Sequence, residues 1–189
     1  MESQRWIPIQ NLSTAFNEAH RVLAAVPADK WSALSPCSEW DARGVAKHMI
    51  GGAEMVAACV AGKAFVPTEI DDAADLPATF RDAADAALAA FTTDQSALGR
   101  MIKMPFGEMP GATVAGIFTN DEFAHAWDVA KATGMNTDLN PQLATGCLEA
   151  AKQFIGPELR MPGLFAAEVE APPGASAADR LAAFMGRSV

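Results

Sequence analysis

The sequence predicts an all-α fold with a minor β component: an up-down bundle of four or so helices, followed by a short irregular C-terminal extension. Three observations lead there. Apolar residues recur at steps of three and four along most of the chain, the spacing of a helix face. Alanine is abundant and tyrosine is absent. No linker is long enough to separate two domains. Residues 1–189 therefore read as one domain, with the bundle core at about 8–156 and the extension at about 157–189.

Leu12, Phe16, Ala19, Leu23 and Val26 mark the first amphipathic helix, with Pro27 after its end. The loop LSPCSEW follows. Ser38, with Asp41 three residues on, resembles a capping box with the shorter acid in place of Glu. The second helix is expected from about Glu39 to about Val60, carrying Val45, His48, Met49 and Val56. Gly51 and Gly52 interrupt it, and their missing side chains would allow close helix packing at about 1 kcal/mol each relative to Ala. GKAFVPTEIDDAADLP, broken by Pro67 and Pro77, reads as a loop. Leu76, Phe80, Ala83, Ala87, Leu88 and Phe91 mark a third helix. Met101 to Met104 reads as extended, before the turn-rich PFGEMPG. A fourth helix begins near Ala112, carries Val114, Ile117, Phe118, Asp121, His125, Val129 and Ala132, and stops at Gly134 as a C-cap. A fifth covers roughly Pro141 to Ile155. The tail offers a short strand, LFAAEVEA, then a small turn or helix, SAADRLAAFMG.

Bulk properties exclude several classes of function. Net charge is −9 with only 14 Lys and Arg, which speaks against nucleic acid, whose phosphates call for a basic patch. No apolar run approaches the ~20 residues of a membrane span. MESQRWIPIQ has no apolar core of a secretory signal. Cys37, Cys59 and Cys147 are odd in number and widely separated, without metal-finger spacing. A reducing cytoplasm is the expected setting. The helix faces leave room for a homodimer.

The chemistry centres on two histidines. His125 lies four residues after Asp121, so both fall on one helix face. His48 on the second helix can supply a third ligand, because bundles build metal sites from side chains on facing helices. His–His–carboxylate with open positions suits zinc in a catalytic role, and also nickel, iron or manganese. Spacing alone equally describes an acid and a histidine paired on a surface. His48, near Val45, Met49 and Gly52, also reads as a hydrogen-bonded core histidine.

Several segments sharpen the choice. In order they are the P-C-S-E-W-D loop, the histidine seven residues after Asp41, F-G-E-M-P-G, H-A-W-D-V-A-K-A-T-G and the D-R-L-A-A-F-M-G-R ending. From about residue 8 to the C-terminus the chain resembles the DinB-like group that includes the N-terminal domain of mycothiol-dependent maleylpyruvate isomerase, and above all its single-domain, uncharacterised actinobacterial relatives. The resemblance implies a four-helix DinB bundle holding a divalent metal through one histidine on the second helix and an E/H-x3-H pair on a later one. Those positions are His48, Asp121 and His125. Asp121 departs from the pattern, since the isomerase has Glu there and DinB proteins have His. Aspartate is one methylene shorter and must approach a metal from closer backbone; Glu122, at i, i+3 to His125, is the fallback.

The resemblance implies zinc first, with nickel, iron or manganese as alternatives. It also implies mycothiol, bacillithiol or glutathione as a thiol cosubstrate. A metal-bound thiol is deprotonated and nucleophilic at neutral pH. It could attack an electrophilic carbon, as in an S-transferase, or add reversibly to a cis-enone, as in the isomerase. Metal-dependent hydrolysis is an alternative use of the site. A metal-free small-molecule-binding or sensor domain that keeps the fold is the alternative of another class. The isomerase carries a further C-terminal domain that completes its site, whereas this chain ends soon after the bundle, so isomerase activity itself is not expected.

Other residues have assigned roles. Asp128, three residues after His125, can orient that ligand or serve a structural contact. His20, near Phe16 and Leu23, packs or lines the cleft. Trp40 and Trp127 read as packing anchors with hydrogen-bonded indoles, Trp127 close to the pocket. Cys37 reads as a small buried hydrophobe. Arg43 and Arg180 could bind a thiol's carboxylates, with solvated roles as the default.

Overall fold

α1 (Pro8–Ala25) opens the bundle in a computed structural model that describes residues 7–37, 40–94, 96–161 and 164–189. Proline stands in the first turn of α1, where its missing N–H costs nothing. The helix buries Leu12, Ala15, Phe16, Ala19, Val22 and Leu23, the stripe its periodicity predicts. α2 (Ala42–Val60) is capped by Asp41, whose carboxylate accepts a 2.8 Å hydrogen bond from the Gly44 N–H. The helix therefore starts later than the expected Glu39, because Asp41 itself is extended and does the capping. Ser38 and Glu39, and with them the expected capping box, lie outside the described residues.

α3 (Leu76–Thr93) is capped by Asp75. A hairpin follows, β1 (Met101–Met104) and β2 (Gly107–Pro110), with Met101 opposite Pro110 and Met104 opposite Gly107. The sequence showed only its first strand; Gly107 and Pro110 masked the second, yet both sit at strand ends. α4 (Gly111–Thr133) ends at Gly134, which takes the left-handed φ of +75° expected of a C-cap. α5 (Pro141–Phe154) is capped by Asn140, and α6 (Ala177–Phe184) by Ser176.

The tail segment LFAAEVEA does not form the expected strand. A strand needs a ladder partner, and this segment's hydrogen bonds go elsewhere. The Val169 N–H donates to the Ala183 carbonyl at 2.9 Å, and the Ala166 carbonyl accepts from Arg160 at 2.7 Å.

The fold is all-α with a minor β component. α1 packs on α3 and α4, and α2 packs on the same two, so α1 and α2 occupy opposite corners of the four-helix bundle. α5 and α6 pack on each other and on α4. One hydrophobic core runs through these helices, with Phe16 and Phe80 meeting edge to face at 5.9 Å. Of the two glycines in α2, Gly52 permits the close approach of α4. A Cβ there would meet Phe118 Cε1 and Glu122 Oε1, each at 3.3 Å, whereas one at Gly51 meets nothing within 4 Å. That contact brings the His48 end of α2 against the middle of α4. Among the described residues no helix is long and apolar enough to cross a membrane.

Candidate metal centre

His48, Asp121 and His125 converge where α2 meets α4. Asp121 Oδ2 lies 3.6 Å from His48 Nε2, and Asp121 Oδ1 lies 3.5 Å from His125 Nε2. One donor atom from each residue falls within 4.8 Å of the others. Ligands at about 2.1 Å around a tetrahedral ion stand roughly 3.4 Å apart. The two observed gaps match that edge, so the residues could hold a divalent metal. Asp121 reaches both histidines despite its shorter side chain. Its side chain is 33% exposed and that of His48 37%, against 8% for His125, so the cluster opens to one side.

Each ligand has a local reason for its place. His125 Nδ1 lies 3.0 Å from Asp128 Oδ2, one turn along α4. That bond fixes the ring and leaves Nε2 facing Asp121. Asp128 is fully buried and takes a two-pronged contact from Arg187, Nε to Oδ1 at 2.9 Å and Nη2 to Oδ2 at 2.8 Å. His48 is held by Trp40, whose indole stacks on the imidazole at 4.6 Å and 27°. Trp40 itself lies against α2, because Gly44 carries no Cβ; one there would come within 2.9 Å of Trp40 Cβ. Backbone bonds knit the loop before it, from the Ser35 N–H to Trp40 O (3.3 Å) and from the Trp40 N–H to Cys37 O (2.9 Å).

The electrostatics follow. Burial raises the Asp121 carboxyl, but His125 and then His48 outweigh it and hold the group well below the usual range. Burial lowers the His125 imidazole, but Asp121 and Asp128 outweigh it and push the ring up to about 9. Asp121 and His125 are thus an ion pair when no metal displaces the imidazole proton. Glu122, the fallback ligand, joins neither group of metal-capable donors among the described residues. It is fully buried against Gly52, and burial, then the Asp121 charge, pushes its carboxyl well above the usual range. Cys37, His125 and Asp128 form a second such group, but Asp128 already serves His125 and Arg187.

A cavity of about 1180 Å³ opens from the triad. Its lining includes the metal-capable residues, Trp40 and Cys37, and also Ile117, Phe154, Phe165 and Met185. α5 and the tail after it thus form a wall of the site.

The remaining expectations divide. Trp127 is buried and its indole donates to Asp179 at 2.8 Å, a packing anchor as expected, but it does not line the cavity. His20 does not line it either; the ring is half-buried beside Arg81 and Asp85 of α3, because its helix faces that neighbour. Arg43 donates to the Asp72 carbonyl and Arg180 to the Ala175 carbonyl, both at 2.6 Å and both away from the cavity. Among the described residues the cations lining the cavity are Arg160 and Arg187. Cys37, expected to be a buried hydrophobe, is half-buried in the cavity wall. Trp40 and Arg187 are the supports of the cluster that the sequence did not point to. The W-D pair flagged Trp40 without its stacking role, and Arg187 closed a recognised motif without a partner.

Residues 12–130 match the family described as mycothiol maleylpyruvate isomerase N-terminal domain. The chain is also 40% identical over 169 residues to "Uncharacterized protein Rv0738" and, equally, to "Uncharacterized protein MT0763", from two strains of Mycobacterium tuberculosis. Those matches cover 89% of this chain and 91% of each relative. No solved structure matches.

Proposed function

The chain belongs to the mycothiol maleylpyruvate isomerase N-terminal-domain family, and from that premise we propose a divalent-metal-dependent enzyme that uses a low-molecular-weight thiol of the mycothiol type as nucleophile, in an S-transferase or isomerase reaction. The observation that carries this reading is the Asp121 carboxylate set between His48 Nε2 and His125 Nε2, at 3.6 and 3.5 Å, at the head of a cavity. A divalent ion there, zinc before nickel, iron or manganese, would hold a thiol as thiolate near neutral pH.

The chain's own residues supply the rest. Asp128 fixes the His125 ring, and Arg187 fixes Asp128. Trp40 stacks on one face of His48 and holds the ring in place. In a transfer, the thiol proton goes to solvent, the sulfur forms a bond to carbon, and the leaving group departs with its electron pair. In an isomerisation, sulfur adds to a conjugated double bond and the pair moves into the conjugated system. It returns when sulfur leaves after rotation. The segment after α5 also lines the cavity, through Arg160, Met161, Leu164 and Phe165 among others. Three cysteine thiols, none in a disulfide, suit a reducing cytoplasm.

Metal analysis of protein purified without a histidine tag tests the reading. Stoichiometric metal is expected in the wild type, with none in His48→Ala, His125→Ala or Asp121→Ala, while Glu122→Ala retains it. A wild type that takes up no metal after incubation with zinc or nickel would sink the reading. Thiol consumption, followed with a test electrophile, should disappear in the same variants.

A further inference from the structure

We propose that the cavity beside the triad takes an apolar electrophile, a molecule with an extended alkyl or aryl body, and not a small dicarboxylate. That the bound molecule reacts with a thiol rests on the function proposed above; that the cavity binds such a body stands on its lining.

Much of the lining beyond the triad is apolar: Ile117, one turn before Asp121 on α4, Phe154 on α5, and Met161, Leu164 and Phe165 on the tail. Phe154 is 56% exposed, Met161 49% and Leu164 58%. Large apolar side chains left exposed together at a cavity rim mark a surface that a ligand covers. A dicarboxylate would call for a pair of cations, and among the described lining residues only Arg160 keeps its charge and spare donors. Arg187 spends its guanidinium on buried Asp128. Arg160 donates to the Ala166 carbonyl at 2.7 Å and lies 4.8 Å over the Phe184 ring. The net charge of −9 also repels a dianion at long range. Size agrees, because about 1180 Å³ exceeds what a four- to six-carbon acid fills and lies above the roughly 300–1,000 Å³ of most small-molecule pockets. A mycothiol-type thiol is polar, so the apolar wall is left for its reaction partner.

The test is isothermal titration of the full chain, metal-loaded and metal-stripped, with 2-undecanone as an unreactive apolar probe and with maleate. 2-Undecanone should bind at least tenfold more tightly than maleate in both forms. Ile117→Asn and Phe154→Asp should each weaken it about tenfold, the loss expected when part of an apolar side chain's contact goes. Phe154 is a rim residue, so its replacement leaves the core intact, which circular dichroism checks. Equal or tighter binding of maleate, or 2-undecanone affinity unmoved by both substitutions, overturns the assignment. Metal content is measured on the same samples. Probe binding by a protein that never holds metal sinks the thiol chemistry and leaves the cavity assignment standing; metal retained with maleate preferred sinks the cavity assignment alone.

Discussion

Glu122 and His125 sit three residues apart on α4, and their surroundings shift both upward. Both Glu122 oxygens are buried with no hydrogen-bond partner among the described residues, so the neutral acid is favoured. A carboxyl raised on folding binds its proton in the native state at pH values where the unfolded chain has released it. Stability therefore falls as pH rises above the ordinary value of 4.5. Glu122→Gln removes that loss. In metal-free protein the variant should gain about 1–3 kcal/mol over wild type at pH 8 and clearly less at pH 5.5. Urea denaturation at both values checks this, and an equal gain at both would contradict it. His125, raised to about 9, stabilises the metal-free fold fully below its ordinary 6.5, and that contribution is lost as pH rises through about 9. A metal must displace the same proton. Apparent metal affinity should rise about tenfold per unit from pH 7 and level near 9. Asp128→Asn should move the levelling point down, and chelator competition reads both.

At the scale of elements, α2 presents His48 to the cluster with Trp40 lying against its first turn and stacked on the ring. A methyl at Gly44 would press on Trp40 Cβ at 2.9 Å, so Gly44→Ala should lift the indole from His48. Helix content should hold, since Ala favours helix and the Asp41 cap remains. Metal affinity and Trp fluorescence should both change; if neither does, Trp40 has no part in placing the ligand. The helices themselves were legible in the sequence, because a face repeating every three or four residues is a local signal, and Gly134 announced its own φ. The triad was legible for a different reason: an i, i+4 pair is local, and the ordered motifs supplied His48. The tail misled, since Phe165, Ala167 and Val169 alternate like a strand but find no ladder partner among the described residues, a fact no local pattern carries. Of the two readings of His20, packing or lining the cleft, it packs beside α3; an apolar helix face does not say which neighbour it meets. Trp40 over His48 depends on a loop closing on itself, which periodicity does not report.

At the scale of the molecule, the extension is fastened to the bundle by consecutive residues of α4. Trp127 reaches Asp179 across 52 positions, and Asp128 reaches Arg187 across 59. The second tether couples the tail's position to the metal-capable histidine, because the same carboxylate serves both. Arg187→Leu leaves the Asp128 charge buried with only His125 beside it, and should cost about 3–5 kcal/mol. Asp128→Asn with Arg187→Leu removes the stranded charge, so the double variant should lose well under the sum of the single losses. Arg187→Lys restores charge but not the two-pronged geometry, and should recover only part. Metal affinity separates coupling from mere stability. Where the fold persists, Arg187→Leu should weaken metal binding about 10–100-fold, the range for losing a group that orients a ligand. Urea unfolding of the four proteins gives the cycle, and chelator competition gives the affinities. Strictly additive losses, or unchanged metal affinity in folded Arg187→Leu, would show that the tail and the metal centre are independent.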